Sequence, residues 1–311
     1  MRKRLIVLAI VAVALCARTA FAIPAAQTDG KKPGRAVTDE VGRHMTVPTD
    51  VRRIVSLAPN LTEIVYALGA GDRLVGDTNA CDTPPEAKSK PHVGNPQDPS
   101  LEAIVALHPD LVLATASINV PQTADTLLKL GVPVYTTYPH TVRQMLDSIT
   151  EIGGLIGASP QGEALKTSLR ARLDALQAKL GDRPLAHVLF LLSATPPIWS
   201  IGSNTFIADA LRWAGAESVL VTDQNWPQPS FEEILRIQPD YIVVTADHEG
   251  DTSEASDLRS NLQWKNLMAV KLGRVVTVSD KFDRPSPGLV DAIEQLAHEL
   301  HPEAFLPAVN Q

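Results

Sequence analysis

Apolar and polar positions follow two rhythms along this chain, period 3.6 and period 2, and one passage combining them occurs twice. Residues 100 to 115 and 230 to 245 each open on a serine (Ser100, Ser230) and place a glutamate two residues later (Glu102, Glu232). Each carries apolar residues at helical spacing for about two turns. Each then stops at a Pro-Asp pair (Pro109-Asp110, Pro239-Asp240) and ends in a short apolar run closed by threonine (Thr115, Thr245). A serine can cap a helix, proline cannot continue one, and a run rich in Val, Ile and Leu suits a buried strand. A helix-to-strand unit that recurs once, about one small α/β domain apart, predicts two similar lobes rather than a solenoid of short repeats.

The flanking pattern fills in both lobes. Ala36–Asp39 and His44–Val47 predict a hairpin, Arg53–Leu57 a strand, and Asn60 with Glu63 has the spacing of a capping box opening a helix to Leu68. Leu74–Gly76 is a second strand, so strand, helix and strand predict a parallel sheet. A helix near Gln122–Leu130 and a strand over Val132–Thr136 complete the first lobe, residues 36–140. Residues 141–183 read as a helical linker, with Leu165, Leu169, Leu173, Leu176 and Leu180 at helical spacing after Pro160. The second lobe, 184–311, is expected to hold strands at Val188–Leu192 and Arg274–Val278. Its helices are expected over Asn204–Trp213, 262–270 and Ser286–Leu300, with a polar loop over 247–257. The fold class is therefore α/β: two Rossmann-like lobes of parallel sheet flanked by helices, bridged by helix, with a cleft between them.

The chain's start changes the cellular picture. Arg2, Lys3 and Arg4 precede an apolar run from Leu5 to Leu15, and Ala20-Phe21-Ala22 offers small residues for cleavage after Ala22. Residues 1–22 are expected to be a secretory signal, and 23–35, rich in Gly, Pro and polar residues, a flexible leader. The protein is then exported, to the periplasm. Loss of Arg2, Lys3, Arg4 and Arg18, with no acidic residue, takes the net charge from −7 to −11. So acidic a protein argues against nucleic acid as a partner. Only Cys81 outlasts the signal, so no intrachain disulfide is expected.

Candidate chemistry is sparse. The nucleophile elbow, the P-loop, the dinucleotide fingerprint and the zincin helix are all missing. Cys81 is not paired by spacing with His92 or His140, and the histidines are scattered, so neither a catalytic residue nor a metal site is expected. A Cys81-dependent enzyme and a metal-ion receptor remain as minor alternatives. Loops that follow strands are where α/β sheets bind ligands. The residues there are Pro59 and Asn60, Asp82 and Thr83, Asn95 and Pro96, then Trp199, Trp226 and Pro227, and finally Asp283 and Arg284. Trp199 and Trp226, stiffened by neighbouring prolines, offer broad faces to a large flat ligand or pack within their loops. Asp283 and Arg284 could orient a polar ligand edge or form a local salt bridge. In the second copy of the repeat, Ser230 and Glu233 already have capping-box spacing. Glu232 is thus left to point outward, and Glu102 occupies the matching position. Two separated anionic knobs suit docking onto a two-subunit partner with basic pockets.

Several of these segments resemble one family. Arg53–Asn60 with Thr62 and Glu63, Cys81–Pro85, both copies of the repeat, Ala269–Val275 and Arg284–Pro287 are similar to the helical-backbone (class III) periplasmic solute-binding proteins of ABC importers. Within that family they lie nearest the cobalamin receptors, and the similarity covers about residues 36–300. The resemblance implies one long bridging helix, a monomer when free, and a cleft that hands its ligand to a permease dimer in the inner membrane. Cobalamin or a related corrinoid is then the transported cargo, with no catalytic cofactor. Glu102 and Glu232 match the family's docking glutamates, Trp226 a cleft tryptophan, and Phe282–Pro287 another cleft wall. Thr83, Pro96 and Thr115 stand where cobalamin receptors carry aromatic residues. Relatives on the same scaffold bind haem or ferric siderophores, and for haem His92, His140 and Tyr138 are the available axial ligands.

Overall fold

The computed structural model describes residues 33–246 and 253–306. The expected signal with its cleavage site, the leader up to residue 32, and residues 247–252 of the expected polar loop lie outside the described residues. Strand β1 (Gly34–Thr38) begins two residues before the expected hairpin and pairs antiparallel with β2 (His44–Pro48). Gly42 closes the turn at φ 85°, a conformation that suits glycine.

Two parallel sheets follow. In the first, β3 (Ile54–Ser56), β4 (Leu74–Gly76), β5 (Leu111–Thr115) and β6 (Val134–Thr137) lie in the order β4-β3-β5-β6. Helices α1 (Pro59–Ala67), α2 (Leu101–Ala106) and α3 (Pro121–Lys129) connect them. In the second, β7 (Ala186–Ser193), β9 (Ala216–Ser218), β10 (Tyr241–Thr245) and β11 (Val275–Val278) lie in the order β9-β7-β10-β11, and β8 (Trp199–Ser200) runs antiparallel to the far half of β7. Its helices are α6 (Phe206–Trp213), α7 (Phe231–Ile237), α8 (Ser253–Ser260), α9 (Met268–Lys271) and α10 (Leu289–Leu300). Numbered over its parallel strands alone, each sheet has the order 2-1-3-4. The repeated passages, α2 with β5 and α7 with β10, fill the same place in each. Ser100 and Ser230 accept hydrogen bonds from the backbone N–H groups of Ala103 and Glu233, as the repeat predicts.

Four expectations need correction. The helix expected over 262–270 is a single 3-10 turn, Trp264–Asn266, separated by extended Leu267 from the short α9. The stretch 247–257 is not all loop, since α8 begins at Ser253. Trp199 lies on the short strand β8 rather than in an irregular loop. Asn60 and Glu63 form no capping box: α1 starts at Pro59 with Ala58 at its N-cap and no side-chain cap. Pro59 at the first turn has no N–H to satisfy, and Asn60 already lies inside the helix, so it cannot cap it.

Between the sheets run α4 (Val142–Leu155) and α5 (Ser159–Leu180). At 1.5 Å per residue α5 is roughly 33 Å long. Gly153 and Gly162 let α4 and α5 approach closely, because a Cβ on Gly153 would sit 3.3 Å from the Gly162 Cα. Buried Leu169, Leu173, Leu176 and Leu180 join α5 to one apolar cluster. It runs from Ile54 and Leu111 through Met145, Ile149 and Ile152 to Phe190, Leu211, Ile293 and Leu296. Arg172 adds bonds of 2.6 Å to both Asp291 and Glu294 of α10. The bridging helices are therefore a shared core and not a free spacer. Separate clusters cover the other face of each sheet.

Candidate functional site

The loops after β5 and β6 meet the loops around β8 and α6 in a notch of about 100 Å³ between the lobes. On the first lobe its wall carries Ser117, Tyr138 and His140; on the second it carries Asn204, Asn225 and Trp226. Trp226 is 42% exposed and Tyr138 37%, large values for aromatic rings. The Tyr138 and His140 rings meet edge to face with centroids 4.2 Å apart.

Backbone bonds hold each wall. Ser200 N–H donates to the Pro227 carbonyl and Gly202 N–H to that of Asn225, both at 3.0 Å, so Trp226 sits on a fixed ribbon. Only glycine fits at 202, because a Cβ there would lie 1.8 Å from the Gln224 carbonyl oxygen. Across the notch, Tyr138 N–H donates to Glu40 Oε2 at 2.5 Å and Ser148 Oγ to Glu40 Oε1 at 2.5 Å. Burial pushes the Glu40 carboxyl above the usual range despite these bonds.

The rim of the first lobe is tied together by Asn119, which is 6% exposed. Its Nδ2 donates to the Leu57 carbonyl at 2.9 Å and to that of Pro96 at 2.7 Å, and its Oδ1 accepts from Thr115 N–H at 2.7 Å. One amide thus joins the ends of β3 and β5 to the irregular 78–99 segment. Asn95 turns back on its own loop, its Oδ1 accepting from Asp98 N–H at 2.6 Å, and Pro96 is buried.

A second cluster crosses between the lobes. Arg284, on the segment before α10, meets Asp280 at 2.6 Å, Asp82 at 3.4 Å and Glu63 at 3.5 Å. Ser286 Oγ donates to Glu63 Oε2 at 2.6 Å. Burial raises the Glu63 carboxyl above its ordinary value, opposed by Ser286 and Arg284. Thr83 donates to Asp82 at 3.2 Å, and Asp283 ends the same short turn that carries Asp280. Pro59 and Asn60 are buried at the start of α1, where Asn60 Oδ1 has no protein partner.

Of the residues singled out in the sequence, Trp226 enters the notch with Pro227 buried beside it, while Arg284 and Asp82 come together with Glu63. Trp199, 37% exposed on β8, does not line the notch. Ser117, Asn119, Asn204 and Asn225 carried no spacing signal. Tyr138 and His140 share the notch, but His92 stands apart at the edge of the sheet, its Nδ1 2.8 Å from Asp77 Oδ1. Cys81 is 2% exposed, with its Sγ 3.2 Å from both the Thr62 and the Thr78 hydroxyls. Burial pushes its thiol up, which disfavours the thiolate a nucleophile needs. Among the described residues no three His, Cys, Asp or Glu side chains gather as a metal site. Glu102 and Glu232 are both exposed at the second position of their helices.

The Periplasmic binding protein family matches residues 54–281, most of both lobes. The chain belongs to the periplasmic binding protein family. It is 31% identical over 296 residues to an ABC transporter substrate-binding lipoprotein of Bacillus subtilis, covering 91% of this chain and 92% of that one. It is 33% identical over 246 residues to the vitamin B12-binding protein of Vibrio parahaemolyticus, covering 78% and 87%. The periplasmic heme-binding protein of Roseiflexus sp. RS-1 superposes with a TM-score of 0.72 at 26% identity, covering 82% of this chain and 99% of that one. This periplasmic binding protein is thus a substrate-binding component of an ABC transporter with an extracytoplasmic location. These three relatives are named for binding a transporter substrate, vitamin B12 and heme.

Proposed function

We propose that this binding protein captures cobalamin or a related corrinoid and delivers it to its permease. The observation that carries this reading is the charge state of the cleft. Arg284 is enclosed by Asp280, Asp82 and Glu63, and among the described residues that line the notch none is lysine or arginine. A site for an anionic cargo, such as a haem with its propionates, calls for a free cation. This cleft offers amides, hydroxyls and exposed aromatic rings. A corrin ring bears many amide side chains around an apolar body, which suits Asn204 and Asn225 beside Trp226. A pocket that encloses a drug-sized ligand measures about 300–1,000 Å³. The notch is much smaller, so the macrocycle would lie across the cleft mouth with one substituent inserted.

In this reading residues 1–22 are removed by cleavage after Ala22, and residues 36–140 and 184–311 form the lobes about a linker at 141–183. The free receptor is a monomer, does no catalysis, and presents Glu102 and Glu232 to the permease dimer. A second reading rests on Tyr138 and His140. Both are exposed in the notch, and either could ligate a haem iron.

Titration of the purified protein with cyanocobalamin, haemin and a ferric siderophore separates these readings. Expected is saturable binding of the corrinoid at micromolar concentration or below, with quenching of tryptophan fluorescence. Binding of haemin alone, lost on Tyr138→Phe or His140→Ala, would replace the first reading with the second. Trp226→Ala is expected to weaken corrinoid binding by on the order of 2 kcal/mol, roughly thirtyfold. The exposed ring contributes little to the fold, so the melting temperature is expected to stay near that of the parent.

A further inference from the structure

Glu63 is only 7% exposed, yet its carboxylate takes no part in capping the helix that carries it. Both oxygens face the opposite lobe instead. Oε2 accepts from Ser286 Oγ at 2.6 Å, across 223 residues of sequence, and Oε1 lies 3.5 Å from Arg284 Nη1, across 221. The backbone there also approaches closely, since a Cβ on Gly288 would stand 3.3 Å from Glu63 Oε2. Arg284 and Ser286 flank Pro285 on the segment leading into α10, so one buried carboxylate grips a short stretch of the second lobe at two points.

We propose that Glu63 is a positioning residue for the cargo cleft, a cross-lobe clamp that holds the Arg284–Ser286 wall against α1 and thereby sets the spacing of the lobes. A helical bridge limits lobe motion at the shared core but leaves the loops at the cleft free to shift. The clamp acts at those loops. It also fixes which way Arg284 points, by supplying one of the arginine's three carboxylate partners.

The groups facing Glu63 set how the clamp answers acid. Arg284 and Lys281 face it from the second lobe, with Asp280 and Asp283 on the same segment, and Asp82 approaches Arg284 from the first lobe. Burial raises the Glu63 carboxyl, so it takes up a proton at higher pH than an exposed glutamate. The neutral acid still bonds Ser286 but no longer attracts Arg284. Because the folded value is raised, ionised Glu63 is a net cost to the fold that appears as pH rises through that value. A proton on Glu63 therefore favours the enclosed position, so the clamp is expected to hold as pH falls, and Glu63→Gln, an uncharged isostere, is expected to keep or raise the melting temperature at neutral pH.

The test is the distance between spin labels on Gln122→Cys in α3 and Gln295→Cys in α10, both exposed, in the ligand-free full chain. The wild type is expected to give a narrow distribution at neutral pH that stays narrow as pH falls, since the raised carboxyl takes up its proton more readily when enclosed than when exposed. Glu63→Gln, which can still accept from Ser286, should keep the narrow distribution, and Glu63→Ala and Ser286→Ala should lose it. A wild-type distribution in both alanine variants would overturn the clamp. These distances need no ligand, so they stand or fall apart from the proposed cargo. If the corrinoid reading also holds, Glu63→Ala should weaken cyanocobalamin binding by about tenfold, the scale of one charge-assisted hydrogen bond.

Discussion

Replacing Glu102 and Glu232 together by alanine is expected to abolish cargo uptake while leaving cargo affinity unchanged. The two glutamates occupy the same position of equivalent helices, α2 and α7, in sheets whose parallel strands share one order. The helices run back from the ends of preceding strands, so both side chains stand at the cleft end of their lobes. Neither is needed as a cap, since Ser100 and Ser230 accept the hydrogen bonds available there. Their helix-dipole interaction is worth roughly 0.3–1 kcal/mol, so stability should barely change. At an interface with basic pockets, each desolvated charge pair would contribute roughly 2–5 kcal/mol. Losing both should bring uptake to background, with each single variant intermediate. The check is uptake of labelled cargo by cells carrying the variant, beside equilibrium binding to the purified protein. Normal uptake by the double variant would remove the docking role.

The second large effect is expected at Asn119. Asn119→Ala deletes three hydrogen bonds and leaves the Thr115 N–H and the Leu57 and Pro96 carbonyls without that partner in a buried rim. An orphaned buried group costs about 1–3 kcal/mol, so a loss of roughly 3 kcal/mol is expected in denaturant unfolding. Asn119→Asp should be worse. Its carboxylate would face two carbonyl oxygens in place of an NH₂ donor, and a buried charge without a partner is costlier than a cavity. An aspartate variant as stable as the parent would show that the amide hub does not hold the rim.

Both predictions use features of different legibility. Glu102 and Glu232 could be singled out because a cap, a proline stop and an apolar strand are local signals, and their repetition carried the architecture with them. Asn119 was invisible, since an asparagine in Ser117-Ile118-Asn119-Val120 has no spacing partner and its acceptors are backbone carbonyls brought near by folding. Glu63 was misread for a related reason. Asn60 and Glu63 have the spacing of a cap, and the bonds that claim Glu63 lie more than two hundred residues away. Helix α8 was hidden because a polar surface helix of two turns, Ser253–Ser260, has a composition close to that of a loop. The cargo was the least legible. It depends on which charges in the cleft are already paired, and only side-chain geometry shows that Arg284 is.

The apolar cluster running from β3 through α4 and α5 to α10 bears on how such a chain can be inherited. The two halves repeat a topology, as a duplicated ancestor would, but the segment between the copies became packing. Leu169, Leu173, Leu176 and Leu180 face the second half from a helix that is also pressed onto α4. The second half could not be traded for a foreign lobe without leaving those leucines unmatched. New specificities on this scaffold are therefore expected to arise by changing loops at the cleft, with the pair of lobes passed on as one piece.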